Sequence, residues 1–253
     1  MGKLPNIKLS TEEYNQLRTT YYFDYGSESQ IIRDGKYIIK LFKEDFGHCQ
    51  ASEKVIETIR TNKQQKLILL HSMKTFANTL KPLATYSYQD KLVGYRGVYL
   101  ECPTLQDTYL TKREKVHYLR QIKAKLELFH NQGIIYGDIK DDNIFIDTAH
   151  NNIIFGDIDN MQVFDYPIDT FNFHAKEFAF KYGTIDQKLD SYMFNLLTIQ
   201  QFIDRDLMYD DIIHSLEACF IPPEINCQNN QKLIREIVYV NKNYSGKYLI
   251  DNL

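Results

Sequence analysis

The sequence predicts an α+β chain, with a small β-sheet part carrying one or two helices followed by a mainly helical part. Two patterns carry that expectation. Strand-like runs flanking turn residues dominate the first hundred positions, and beyond residue 111 apolar residues recur at helical spacing. Gln30-Ile31-Ile32 and residues 36–42 flank Arg33-Asp34-Gly35, where Asp-Gly is a hairpin turn signal. Residues 83–88 and 93–100 flank Gln89-Asp90-Lys91 in the same way. Between the hairpins, residues 52–76 are helical in character. Ser52 is an N-cap candidate there, Val55, Ile56 and Ile59 share a face, and Thr61-Asn62 is a point of division.

The helical part opens with a capping box, Thr111 with Glu114, ahead of Val116, Leu119, Ile122, Leu126 and Phe129. Gly133 ends that run in the manner of a C-terminal cap. Ile144-Phe145-Ile146 and Ile153-Ile154-Phe155 read as short strands. Residues 186–203 form a helix apolar nearly all round, which predicts burial. The last fifty residues read as short helices with a polar tail. The seam between the two parts falls near residues 101–105.

Composition narrows the class. The chain has 253 residues, 43% hydrophobic and 25% charged, which excludes a disordered or collagen-like chain. Thirty Lys and Arg against 33 Asp and Glu give a net charge of −3, so no general nucleic-acid binder is expected. Cys49, Cys102, Cys219 and Cys227 lack CxxC spacing, so neither a zinc site nor a disulfide framework is expected. Residues 1–5 have no signal-peptide core, Asn6 fails the Ser/Thr requirement for myristoylation, and no run has the length of a membrane span. A cytoplasmic protein without membrane attachment is the expectation.

The chemistry concentrates in Tyr136-Gly137-Asp138-Ile139-Lys140-Asp141-Asp142-Asn143. Lys follows Asp138 by two residues and Asn by five. This stretch resembles the catalytic loop of the protein kinase superfamily, His-Arg-Asp-x-Lys-x-x-Asn, at Asp138, Lys140 and Asn143. The resemblance implies Asp138 as the base that takes the acceptor proton, Lys140 as the cation steadying the transferred phosphoryl group, and Asn143 as a Mg²⁺ ligand. Fourteen residues later, Asp157-Ile158-Asp159 stands where the family has Asp-Phe-Gly. Asp157 is implied as a second Mg²⁺ ligand, and Asp159 is open to the metal shell or, preferably, to capping the next turn.

Further landmarks follow in the family's order. Gly26, Ser27 and Ser29 lie where a glycine-rich loop covers the ATP phosphates, with one glycine retained. Lys40, after Ile38-Ile39, resembles the phosphate-binding lysine, with Lys43 as the competing choice. Its helix partner is open between Glu53, Glu57 and no glutamate at all. Ile38 and Phe145 are implied as adenine contacts, and Glu101, Cys102 and Pro103 as the hinge holding the base edge. Asp190 resembles the buried helix residue that braces the catalytic loop, and Ala175-Lys176-Glu177 stands in place of Ala-Pro-Glu.

The resemblance implies a single bilobal kinase-like domain over 1–253: a small lobe of about 15–101, a hinge of about 101–105, and a shortened helical lobe of about 106–253. It implies an ATP- and Mg²⁺-dependent Ser/Thr protein kinase acting on a protein substrate, with a regulatory partner as a source of control. Two alternatives stay open. Tyr136-Gly137-Asp138 and Asp-Ile-Asp lean toward small-molecule phosphotransferases of the aminoglycoside or sugar type, and the single-glycine loop toward a pseudokinase binding module. Gly137 replaces the arginine that grips an activation-segment phosphate, so activity without loop phosphorylation is expected. Control would then fall on a partner or on Ser27 and Ser29.

Overall fold

Two hairpins and two flanking segments assemble into a six-stranded sheet. In this computed structural model, residues 3–20, 24–25, 28–73, 80–169, 185–202, 248 and 250 are described. The strands are β1 (Asn6–Lys8), β2 (Asp24–Tyr25), β3 (Ser29–Asp34), β4 (Tyr37–Phe42), β5 (Ala84–Tyr88) and β6 (Lys91–Val98), in spatial order β1-β5-β6-β4-β3-β2. β1 runs parallel to β5, and every other pair is antiparallel. Each hairpin is closed by two residues: Gly35-Lys36, with Gly35 at φ +59°, and Gln89-Asp90, with φ +50° and +59°. Left-handed φ at the first turn position, as at Gly35, or at both, as at Gln89-Asp90, matches the right-handed twist of the strands joined.

Alternation along β4 sends successive side chains to opposite faces. Ile39 and Leu41 join Ile32, Tyr86 and Val93 on one face, against Tyr14 and Leu17 of α1 (Thr11–Thr19). Tyr14 stacks on Tyr88 with ring centroids 4.2 Å apart. Phe42 joins Tyr95, Leu92 and Phe46 on the other face, against Ile59 and Leu67 of α2 (Glu53–Ser72). α2 is unbroken through Thr61-Asn62; Ile56 packs against this core beside the buried Ile59, whereas Val55 is exposed. Ser52 precedes the helix without a side-chain cap bond. Neither β1 nor α1 stood out as an element in the sequence. Ser10 nonetheless closes a capping box with Glu13, at one turn's spacing.

The chain divides into two units, Met1–Cys102 with Ile154–Asp169 and Pro103–Ile153 with Thr170–Leu253. The first unit thus joins residues 154–169 to the first hundred residues. The second contains α3 (Lys112–His130), β7 (Ile134–Ile135), β8 (Ile144–Asp147) and α4 (Gln187–Phe202). Thr111 and Glu114 close the expected capping box on α3, which buries Tyr118, Leu119, Ile122, Leu126 and Phe129. α4 is buried along most of its length, Leu189, Met193, Phe194, Leu196 and Leu197 included. The boundary between units falls inside β9 (Asn152–Phe155), and β10 (Gln162–Val163) belongs to the first unit. Among the described residues, no helix is long and apolar enough to cross a membrane. The short helices expected in the last fifty residues lie almost wholly outside the described residues.

Gly94 sets how closely β6 approaches β4. A Cβ there would stand 2.4 Å from the Lys40 carbonyl oxygen, whereas one at Gly97 would meet Ile38 at an ordinary 3.6 Å. We expect Gly94→Ala to lower stability by ~1–3 kcal/mol through strand displacement. Gly97→Ala is expected to be neutral or stabilising by ~0.4–1 kcal/mol, because it restricts the unfolded chain. Urea unfolding of both variants checks this, and equal effects would contradict it.

Candidate functional site

The first unit holds a cluster of buried charge built on Lys40. Parity along β4 points Lys40 to the α2 face beside Phe42, and it is 7% exposed. Its ammonium donates to Asp157 Oδ1 and, at 2.7 Å, to Asp159 Oδ1. Asp159 has no exposed surface. Its Oδ1 also accepts from Tyr95 Oη at 3.0 Å, and its Oδ2 accepts from Lys63 Nζ of α2 at 3.0 Å. Lys63 lies 3.3 Å from Glu28 Oε2 and 3.7 Å from Asp169 Oδ2. Lys66, one turn further along α2, donates to Asp169 and to the Pro167 carbonyl.

Asp157 precedes a 3-10 turn over Ile158–Asn160 and takes a left-handed conformation, φ +44° and ψ +43°. A non-glycine residue enters that region when its surroundings hold it there, and the Lys40 pair supplies such a hold. Asp159 does not cap the turn, as had been preferred from sequence. Its carboxylate faces inward because two buried ammonium groups need it more than a solvated turn does.

Burial opposes the charge on Lys40, but the Asp157 and Asp159 carboxylates outweigh it and hold its pKa well above the ordinary lysine value. Burial likewise opposes the charge on Lys63, and Asp159, Glu28 and Asp169 raise it. Burial would raise the Asp159 carboxyl, yet Lys40 and Lys63 pull it far below the usual carboxylate range. Burial and the Asp159 charge push the Tyr95 phenol well up. Lys66 goes the other way: burial, reinforced by the charge on Lys63, pushes it down to about 8.

The second unit holds the loop that carries Asp138, Lys140 and Asn143. Residues 141–143 form a 3-10 turn, which folds Asn143 back so that its Nδ2 donates to Asp138 O at 3.1 Å and to Asp138 Oδ2 at 2.7 Å. Lys140 Nζ lies 3.8 Å from Asp138 Oδ2 and 3.3 Å from Asp142 Oδ2. Asp190, fully buried on α4, accepts from Tyr136 N at 2.8 Å, Gly137 N at 2.7 Å and His130 Nε2 at 2.8 Å. Gly137 takes φ +75°, a conformation that a side chain disfavours. Gln200, also on α4, donates to Asp141 Oδ2 at 3.1 Å, so one helix grips both ends of the loop.

The remaining sequence candidates are scattered in character. Ser29 is buried in β3 opposite Phe42, which removes it from a solvent-facing loop. Gly26, Ser27 and Ala175-Lys176-Glu177 lie outside the described residues. Ile38 and Phe145 are half-buried on β4 and β8. Glu101 is exposed and 3.6 Å from Arg33, Cys102 is half-buried, and Pro103 is exposed. Neither Glu53 nor Glu57 pairs with Lys40. Glu53 is exposed, and Glu57 bonds Arg60 at 3.2 Å. Among the described residues, no group of three or more His, Cys, Asp or Glu side chains is arranged to hold a metal ion.

Sequence reasoning missed Lys63, Lys66, Tyr95, Asp169 and His130. A signal existed for the two lysines, since 59, 63, 66, 67 and 70 trace one helical stripe with two cations inside it. Asp169 had no such signal, being a polar residue in an irregular segment. Comparison with models of known protein families gave no match, and neither did comparison with curated protein sequences.

The lowered Lys66 has a measurable consequence. Its ordinary value is 10.5, so from about pH 8 to 10.5 the unfolded chain binds more protons and stability rises with pH. We expect unfolding free energy to climb across that window by up to ~3 kcal/mol from this group. Lys66→Met should flatten the climb. The flattening is partial, because burial also holds Lys125 of the second unit at about 8. Denaturant titrations at pH 7.5 and 9.5 check it, and an unchanged slope in the variant would contradict it. Asp159 acts at the acid end, where its contribution is present above the ordinary carboxyl range and lost as pH falls below it.

Proposed function

We propose that the chain is an ATP- and Mg²⁺-dependent phosphotransferase of the protein kinase superfamily, its two units corresponding to the lobes of that fold. The most direct reading is a Ser/Thr protein kinase. The observation that carries it is the Asp138–Asn143 turn, in which a carboxylate, an ammonium and an amide come together under one helix. Phosphoryl transfer asks mainly for positioning and charge neutralisation, and such a turn supplies a base beside a cation. Asp138 accepts the acceptor hydroxyl proton, Lys140 balances charge on the transferred group, and Lys40 takes phosphate oxygens of the nucleotide.

The two residues that the resemblance implies as Mg²⁺ ligands are each, taken alone, oxygen donors. Asp157 offers a carboxylate whose side chain is 32% exposed and whose Oδ2 is not part of the Lys40 pair. Asn143 offers an amide oxygen, since its bonds to Asp138 are made through Nδ2. Hard oxygen donors of these kinds are what that ion takes, and its chemistry when bound is to neutralise phosphate charge. The base contacts proposed from sequence are Ile38, Phe145 and residues 101–103.

A small-molecule phosphotransferase is the second reading, favoured by Gly137, which brings no guanidinium to the loop. Lys140 near Asp138 favours the protein-directed reading. A cytoplasmic setting, a protein substrate and a regulatory partner belong to that first reading, with neither nucleic acid nor membrane involved. ADP release measured with a generic protein substrate, with aminoglycosides or sugars, and with neither separates the two and exposes an inactive binding module.

Two substitutions test the roles. Asp157→Asn should abolish transfer and weaken Mg·ATP binding in calorimetry. Asp138→Asn should leave Mg·ATP affinity nearly unchanged while turnover falls by about 10²-fold or more. Wild-type turnover in Asp138→Asn would remove the assignment of the base.

A further inference from the structure

Lys40 Nζ has three N–H donors, and two of them are taken by Asp157 and Asp159. A phosphate oxygen needs the third, and its direction depends on how firmly the first two are held. Asp157 is only partly buried and is proposed to serve a cation as well, so it is a poor sole anchor. Asp159 has no exposed surface, sits on a short helical turn, and is pinned through both oxygens by Tyr95 and Lys63. The face of α2 toward this cluster carries the cations Lys63 and Lys66, while Glu53 and Glu57 stand two to three turns earlier.

We infer that Asp159 is the positioning residue that aims Lys40 at the nucleotide phosphates, with Lys63 of α2 fixing the Asp159 carboxylate from behind. The charges fit this arrangement. A carboxylate between two ammonium groups is neutralised without help from solvent, and the Tyr95 hydroxyl fills a further lone pair. The residue that aims the lysine and the residue proposed to hold the cation are then two positions apart on one turn. α2 takes part by a cation acting through Asp159 and not by a carboxylate of its own. This inference rests on the reading of Lys40 as a phosphate ligand.

A double-mutant cycle between Asp159→Asn and Lys40→Met tests it, read on both Mg·ATP affinity by calorimetry and kcat/KM. In the wild-type background, Asp159→Asn should weaken Mg·ATP about tenfold and lower kcat/KM by about 10²-fold. In the Lys40→Met background it should cost less than about twofold, because Asp159 acts only through that lysine. Equal losses in both backgrounds would overturn the positioning role and leave the phosphate assignment standing. Wild-type affinity and turnover in Lys40→Met would instead overturn the phosphate assignment, and the inference with it. Thermal melts accompany each variant. Should Asp159→Asn not fold, Asp159→Asn with Lys63→Met removes one anion and one cation together, and the same cycle is run on that background.

Discussion

Three lysines lie buried between a β-sheet and a helix, and the architecture of the first unit follows from their need for counter-charge. An ammonium group moved out of water without a partner costs several kcal/mol, so Lys40, Lys63 and Lys66 can stay charged inside only if carboxylates come with them. Glu28, Asp157, Asp159 and Asp169 meet that need, four anions around three cations. Three of the four come from residues 154–169, which is why that segment belongs to the unit formed mostly by the first hundred residues. Apolar contacts alone give a weaker reason, since the segment's Phe155 and Ile158 could be buried in many places.

The second unit solves a related problem by other means. Asp190 is as deeply buried as Asp159 and likewise gathers three donors, but two are peptide N–H groups and the third is an imidazole. Asp159 is balanced by full charges from two elements, whereas Asp190 is solvated by two peptide dipoles of one loop and the His130 imidazole of α3. The difference suits their places. A carboxylate held by backbone dipoles fixes the path of the chain at Tyr136-Gly137, while one held by side-chain charges fixes the tip of a lysine. Gly137 and Gly94 perform allied tasks, one admitting a left-handed turn under Asp190 and the other letting β6 close onto Lys40.

Much of this was legible wherever a local rule sufficed. The two hairpins, the capping box of α3 and the buried α4 follow from turn residues, helix-end chemistry and apolar period, all of which act over a few residues. The spacing of Asp138, Lys140 and Asn143 was equally plain, because one turn brings them together. The inward face of Asp159 was not, since a carboxylate after a short strand is ordinarily a turn residue. Its partners lie 96 and 119 positions away in the chain, and no local pattern encodes that distance. The partner of Lys40 was sought among glutamates on α2, whereas the helix supplies lysines and the acid comes from a distant turn.

The discontinuity of the first unit bears on how the chain is made. Residues 1–102 emerge from the ribosome carrying all three lysines, but Asp157, Asp159 and Asp169 arrive only some tens of residues later. At roughly 5–20 residues per second, that is a delay of several seconds. Through it the sheet's α2 face holds cations and only Glu28 against them, so docking of α2 must wait or be reversible. The α2 face is thus short of acids until residues 157–169 are synthesised, so the first unit cannot be completed before residues 103–153 of the second have also been made.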